Sequence, residues 1–103
     1  GIWTPEDLLV SAVVSCTMTT FLSLAARKEI VLDSYECDAT GTLEMVEGKF
    51  RFSRVVLRPR IVVGREEDRD RALEVFHQAE ASCLVASSLL TKVEGEPEIR
   101  VRS

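Results

Sequence analysis

Residues 8–26 run for 19 positions without a charge. Ser11, Ser15, Thr17, Thr19, Thr20 and Ser23 interrupt the aliphatic positions, and Glu6, Asp7, Arg27 and Lys28 bracket the run. On length alone such a stretch could cross a membrane. A helix that is apolar on nearly every side can equally be the core of a soluble protein, and the hydroxyls and flanking charges favour that reading. Its start is well marked. Thr4 is a good N-cap, Pro5 suits the first helical position, and Glu6 and Asp7 place negative charge where the helix dipole is positive. The helix is expected to end near Lys28, which makes it about 37 Å long. A compact domain of this size has a radius of gyration of only ~13 Å. The rest of the chain is too short to wrap such a helix, so a second copy is its natural cover.

The pattern then changes period. Val31, Tyr35, Cys37, Ala39, Leu43 and Met45 alternate with polar residues, as in a half-buried strand. Residues 47–49 (EGK) signal a hairpin turn. The return strand carries Phe50 and Phe52, then Val55, Leu57, Ile61 and Val63. The apolar parity shifts between Phe52 and Val55, which predicts a bulge near Ser53 and Arg54. Pro59 predicts an edge strand, or one interrupted there.

Residues 65–91 read as helical. Ala72, Leu73, Val75, Phe76 and Ala79 form an apolar face, and Ser82 is placed to cap a short helix over 83–91. Residues 95–103 (GEPEIRVRS) close the chain with a short strand. Helix, strand, strand, helix, helix, strand is an α+β order.

Net charge is −4, with both signs interspersed, which argues against nucleic acid and anionic membrane surfaces as partners. The three cysteines, Cys16, Cys37 and Cys83, make a poor disulfide framework. With no visible signal peptide, the expected setting is the reducing cytoplasm. One histidine and no CxxC leave little to build a zinc site, and nothing calls for a cofactor.

Candidate chemistry rests on thiols. Taken singly, each cysteine reads as a small buried hydrophobe, and Cys37, between Tyr35 and Ala39 on the apolar face of its strand, is read as core. Cys83, near a helix start, would gain acidity from the helix terminus. Cys16 lies mid-helix, where that help is missing. His77 is read as a solvent-facing helix residue. It lies six positions before Cys83, about 240° around a helix, so a Cys–His hydrolase pair is disfavoured.

The segment TPEDLLVSAVVSCTMTTFLSLAARKEIVLDS resembles the central helix of the OsmC/Ohr family of thiol peroxidases. It has the PE-x-L-L start, a cysteine in an A-x-x-x-C context and a strand opening L-x-S. VVLRPRIVV resembles the family's penultimate strand, and FHQAEASCLVASSLL its second-cysteine region. The likeness runs in order from Thr4 to about Ile99. It implies one OsmC-like α+β domain over residues 1–103, without the N-terminal strands, forming an intertwined homodimer around the central helix.

The resemblance also implies roles. Cys16 matches the peroxidatic cysteine and Cys83 the resolving one, giving a Cys16–Cys83 disulfide that a dihydrolipoyl or small thiol reductant resets. The substrate is then a small-molecule peroxide, organic or hydrogen peroxide. Glu6 matches the acidic residue that orients an activating arginine. That arginine belongs to the N-terminal strands, so Arg54, Arg58 and Arg60 are the local substitutes. Leu84 stands where the family often has proline. A non-catalytic dimeric binding or structural module with the same fold is the alternative reading.

Overall fold

In the computed structural model, which describes residues 4–102, the uncharged run forms one helix, α1 (Pro5–Arg27). Thr4 starts it as expected. The Asp7 N–H donates to the Thr4 hydroxyl oxygen and the Thr4 N–H to the Asp7 carboxylate, both at 3.2 Å. This reciprocal cap satisfies donors the helix itself leaves unpaired. At the far end Glu29 turns left-handed, with φ 57°. The Glu29 and Ile30 N–H groups then donate back to the Ala26 and Ala25 carbonyls, a helix stop that usually employs glycine. By length and composition α1 could span a membrane. Here it buries a stripe at every fourth residue, Val13, Thr17, Phe21 and Ala25, against the strands and a second helix.

Strands β1 (Leu32–Val46) and β2 (Lys49–Val63) form an antiparallel hairpin. Glu47 and Gly48 at its tip have φ of 51° and 77°, the paired positive values of a type I′ turn. Thr42 is level with Arg54 but Leu43 with Phe52, so Ser53 is the extra residue of the predicted bulge. Parity then assigns the faces. Cys37 and Ala39, with Val55, Leu57, Pro59, Ile61 and Val63, face the helices.

Pro59 meets the second of its two expectations, an interruption, and not the first. β2 is the central strand, not an edge: β1 pairs on one side, and β3 (Lys92–Gly95) and β4 (Glu98–Val101) both run parallel to it on the other. β3 matches residues up to Leu57 and β4 resumes at Arg60. Pro59 therefore falls at the gap between them, where no neighbour on that side asks for its missing N–H. The closing strand is thus two short strands rather than one.

Between β2 and β3 lie a 3₁₀ turn (Glu66–Asp68), α2 (Arg69–Ala81) and α3 (Leu84–Ser87). Ala72, Val75, Phe76 and Ala79 are buried, whereas Leu73, expected beside them, is exposed. Cys83 rather than Ser82 caps α3, and α3 stops at Ser87 instead of reaching residue 91. The outcome is an α+β fold in which α1 and α2 lie on one face of a mixed sheet. Its radius of gyration of 14.9 Å exceeds the ~13 Å of a compact chain this long.

Candidate functional site

Cys16 projects from the middle of α1 toward the break between α2 and α3. Ser82 ends α2 and Cys83 is extended (φ −68°, ψ 111°) before α3 begins, so the break forms without a proline at Leu84. The first N–H groups of any helix lack internal partners. Those of Leu84 and Val85, together with the Cys83 thiol, act on the Cys16 sulfur so as to favour its thiolate.

The Cys16 thiol is consequently held below its ordinary pKa. The Val85 N–H is the largest cause and the Cys83 thiol the next; burial of the sulfur opposes them, and the Leu84 N–H adds to the lowering. Thr20 contributes least. Its hydroxyl has one proton to give, and that proton is committed to the Cys16 carbonyl at 2.8 Å. Cys83 is fully buried, and its sulfur accepts the Ala86 N–H at 3.5 Å while capping α3. A chain of donors thus runs from Ala86 through Cys83 to Cys16. The helix start was expected to serve Cys83; its Ala86 N–H does bond the Cys83 sulfur, and its Leu84 and Val85 N–H groups act on Cys16 as well.

Among the described residues, the main groups that lower the Cys16 thiol are N–H, S–H and O–H donors rather than cations. Arg54, Arg58 and Arg60 lie at even positions of β2, on the sheet face away from the helices. Arg54 pairs with Glu94 at 2.6 Å, Arg58 with Glu96 at 3.7 Å, and Arg60 with Asp38 and Glu36 at 2.5 and 3.1 Å. None is among the main groups acting on Cys16 within the chain.

Glu6 is exposed in the first turn of α1. It borders a groove of about 310 Å³ between that turn and the hairpin, with Val10, Gly41, Leu43 and Phe52. Ten residues separate it from Cys16, about 15 Å along the helix. The fold brings Cys16 and Cys83 together and leaves Glu6 apart. Cys37 is half-buried, and burial, the main cause, pushes its thiol pKa up. His77 is exposed and hydrogen-bonds Glu80 at 3.3 Å. Among the described residues no three His, Cys, Asp or Glu side chains converge as metal ligands.

A family model described as OsmC-like protein matches residues 1–98. The chain belongs to the OsmC-like family. An OsmC-like protein of unknown function from Vibrio cholerae is 37% identical, with a TM-score of 0.82 over 91% of this chain. The chain spans 63% of that protein's length. An organic hydroperoxide resistance protein from Legionella pneumophila shares the fold at 20% identity, with a TM-score of 0.76 over 98% of this chain and 72% of its own. So does the organic hydroperoxide resistance protein OhrB of Bacillus subtilis, at 22% identity and a TM-score of 0.70 over 94% of this chain and 70% of its own. No curated protein matches the sequence.

Two features carried little sequence signal, one at the candidate site and one elsewhere in the fold. The Leu84 and Val85 donors are backbone groups, which any residue supplies. Asp68 sat inside a charge run read as solvated, yet it is fully buried. Arginines three residues before and after it were the available clue.

Proposed function

We propose that this OsmC-like chain is a thiol peroxidase acting on organic hydroperoxides or hydrogen peroxide. The observation that carries the reading is the Cys16 sulfur, acidified by N–H donors and the Cys83 thiol, facing that same thiol. The hydroperoxide resistance proteins among its structural neighbours are consistent with it.

The Cys16 thiolate attacks one peroxide oxygen. The O–O bond breaks, the departing oxygen leaves as alcohol or water after taking a proton, and Cys16 becomes a sulfenic acid. The Cys83 sulfur then attacks the sulfenic sulfur. An S–S bond forms, the S–O bond breaks, and the hydroxyl leaves as water with the Cys83 proton. A dithiol of dihydrolipoyl type, or two small thiols, donates two electrons and two protons to restore both cysteines. A second copy of the chain covers the open flanks of α1. Glu6 then serves a thiol site only through an intermediary residue or from the second copy. The setting is the reducing cytoplasm.

That the main groups acidifying Cys16 are donors rather than cations favours one other reading, a non-catalytic dimeric module. Peroxide consumption with dithiothreitol separates the two. The parent turns over and Cys16→Ser is dead; Cys83→Ser, oxidised without added thiol, consumes one peroxide per chain and stops at sulfenic acid. Equal rates for Cys16→Ser and the parent, or no turnover by any of them, would sink the peroxidase reading.

A further inference from the structure

Asp68 is a fully buried carboxylate far along the chain from either thiol. It accepts the Val31 N–H at 3.0 Å, Arg65 Nε at 3.0 Å and an Arg71 guanidinium N–H at 2.8 Å. Both arginines also reach the end of α1: Arg65 donates to the Glu29 carbonyl at 3.3 Å and Arg71 to the Lys28 carbonyl. One carboxylate thereby ties together the last carbonyls of α1, the entry to β1 and the first turn of α2.

The lengths of the two helices give this tie a further consequence. From Lys28 back to Cys16 is 12 residues, or about 18 Å along α1. α2 has 13 residues, or about 20 Å. It starts at the tie, runs back along α1, and ends where Cys83 and the Leu84 and Val85 N–H groups meet Cys16. The two helices are matched struts joined at one end.

We infer that Asp68 is a positioning residue for the thiol site, fixing one end of α2 so that its other end presents Cys83 and the α3 donors to Cys16. Its effect on the disulfide rests on the peroxidase reading. Its effect on the Cys16 environment does not. Reacting atoms displaced by about 1 Å can lose up to ~100-fold in rate, so a loosened α2 registers in chemistry before it registers in fold.

The test uses the full chain and peptide-resolved mass spectrometry. The pH dependence of Cys16 alkylation by iodoacetamide is compared for the parent, Asp68→Asn, Arg71→Gln and Val63→Ala. The last removes core volume from β2 without removing any hydrogen-bonding partner of Asp68. Asp68→Asn should move the Cys16 profile to higher pH and slow conversion of sulfenic acid to disulfide by about ten-fold. Arg71→Gln should do the same to a smaller extent, and it carries the comparison if Asp68→Asn does not fold. Val63→Ala should lower Tm without moving the profile. Profiles of Asp68→Asn or Arg71→Gln that superimpose on the parent, or an equal shift in Val63→Ala, would overturn the assignment. A parent that forms no disulfide with cumene hydroperoxide overturns the peroxidase reading instead, and the alkylation profiles still decide the role of Asp68.

Discussion

At the scale of single residues, the three cysteines differ by what touches them. Cys16 receives N–H and S–H donors that favour its thiolate, whereas Cys37 is pushed the other way by burial. The thiolate is the reactive form. Peptide-resolved alkylation at neutral pH should therefore label Cys16 well before Cys37. Its rate should rise through a pKa below the ordinary value of a free thiol. Labelling of Cys37 first would contradict the assigned donors. Both site cysteines were legible in the sequence because a thiol is a side-chain feature with a fixed place in a motif. What acidifies Cys16 was not, because its strongest partner is a main-chain N–H that exists only once Cys83 breaks the helix. Glu6 was legible in another sense: its ten-residue spacing from Cys16 on one helix already places it about 15 Å along the axis from the thiol.

At the scale of elements, local signals read well and long-range ones poorly. The Thr4 cap, the turn at residues 47–49 and the bulge at Ser53 each depend on neighbours a few residues apart, and each lay where expected. The role of Pro59 depends on where residues 92–101 return, some 35 positions later, which no local pattern reveals. The charge run at residues 65–71 looked solvated because the partners that bury Asp68, the Val31 N–H and the end of α1, are distant in sequence. Asp68 also supplies an acid-stability prediction. The Val31 N–H, and then the Arg65 and Arg71 guanidiniums, hold its pKa below the ordinary value. A carboxyl with a depressed folded pKa stabilises the fold fully above its unfolded value of about 3.9. The contribution disappears as pH falls through the lower folded value. In urea titrations the parent should exceed Asp68→Asn in stability from pH 5 to 7, with the gap closing below pH ~4. A gap that persists unchanged into strong acid would contradict the ion-paired role.

At the scale of the whole molecule, one chain leaves much apolar surface uncovered. Leu8 on α1 is 57% exposed, and Met45 and Phe50 near the hairpin tip are 62% and 72% exposed. α1 buries one stripe although its composition is apolar nearly all round. The proposed second copy would cover these exposed apolar residues, by a two-fold pairing of α1 with α1. Sedimentation at micromolar concentration should give a dimer; a folded monomer under those conditions would contradict it. The mismatch between helix length and chain length made the uncovered side of α1 readable from sequence, whereas which flank the chain itself covers was not. The central claim, that Cys16 and Cys83 form one redox pair, is tested most directly by peptide mapping after mild oxidation with cumene hydroperoxide. A Cys16–Cys83 cross-linked peptide, reversed by dithiothreitol and missing from the Cys16→Ser chain, is the predicted result. Thiols that all survive unmodified, or disulfides that involve only Cys37, would contradict it.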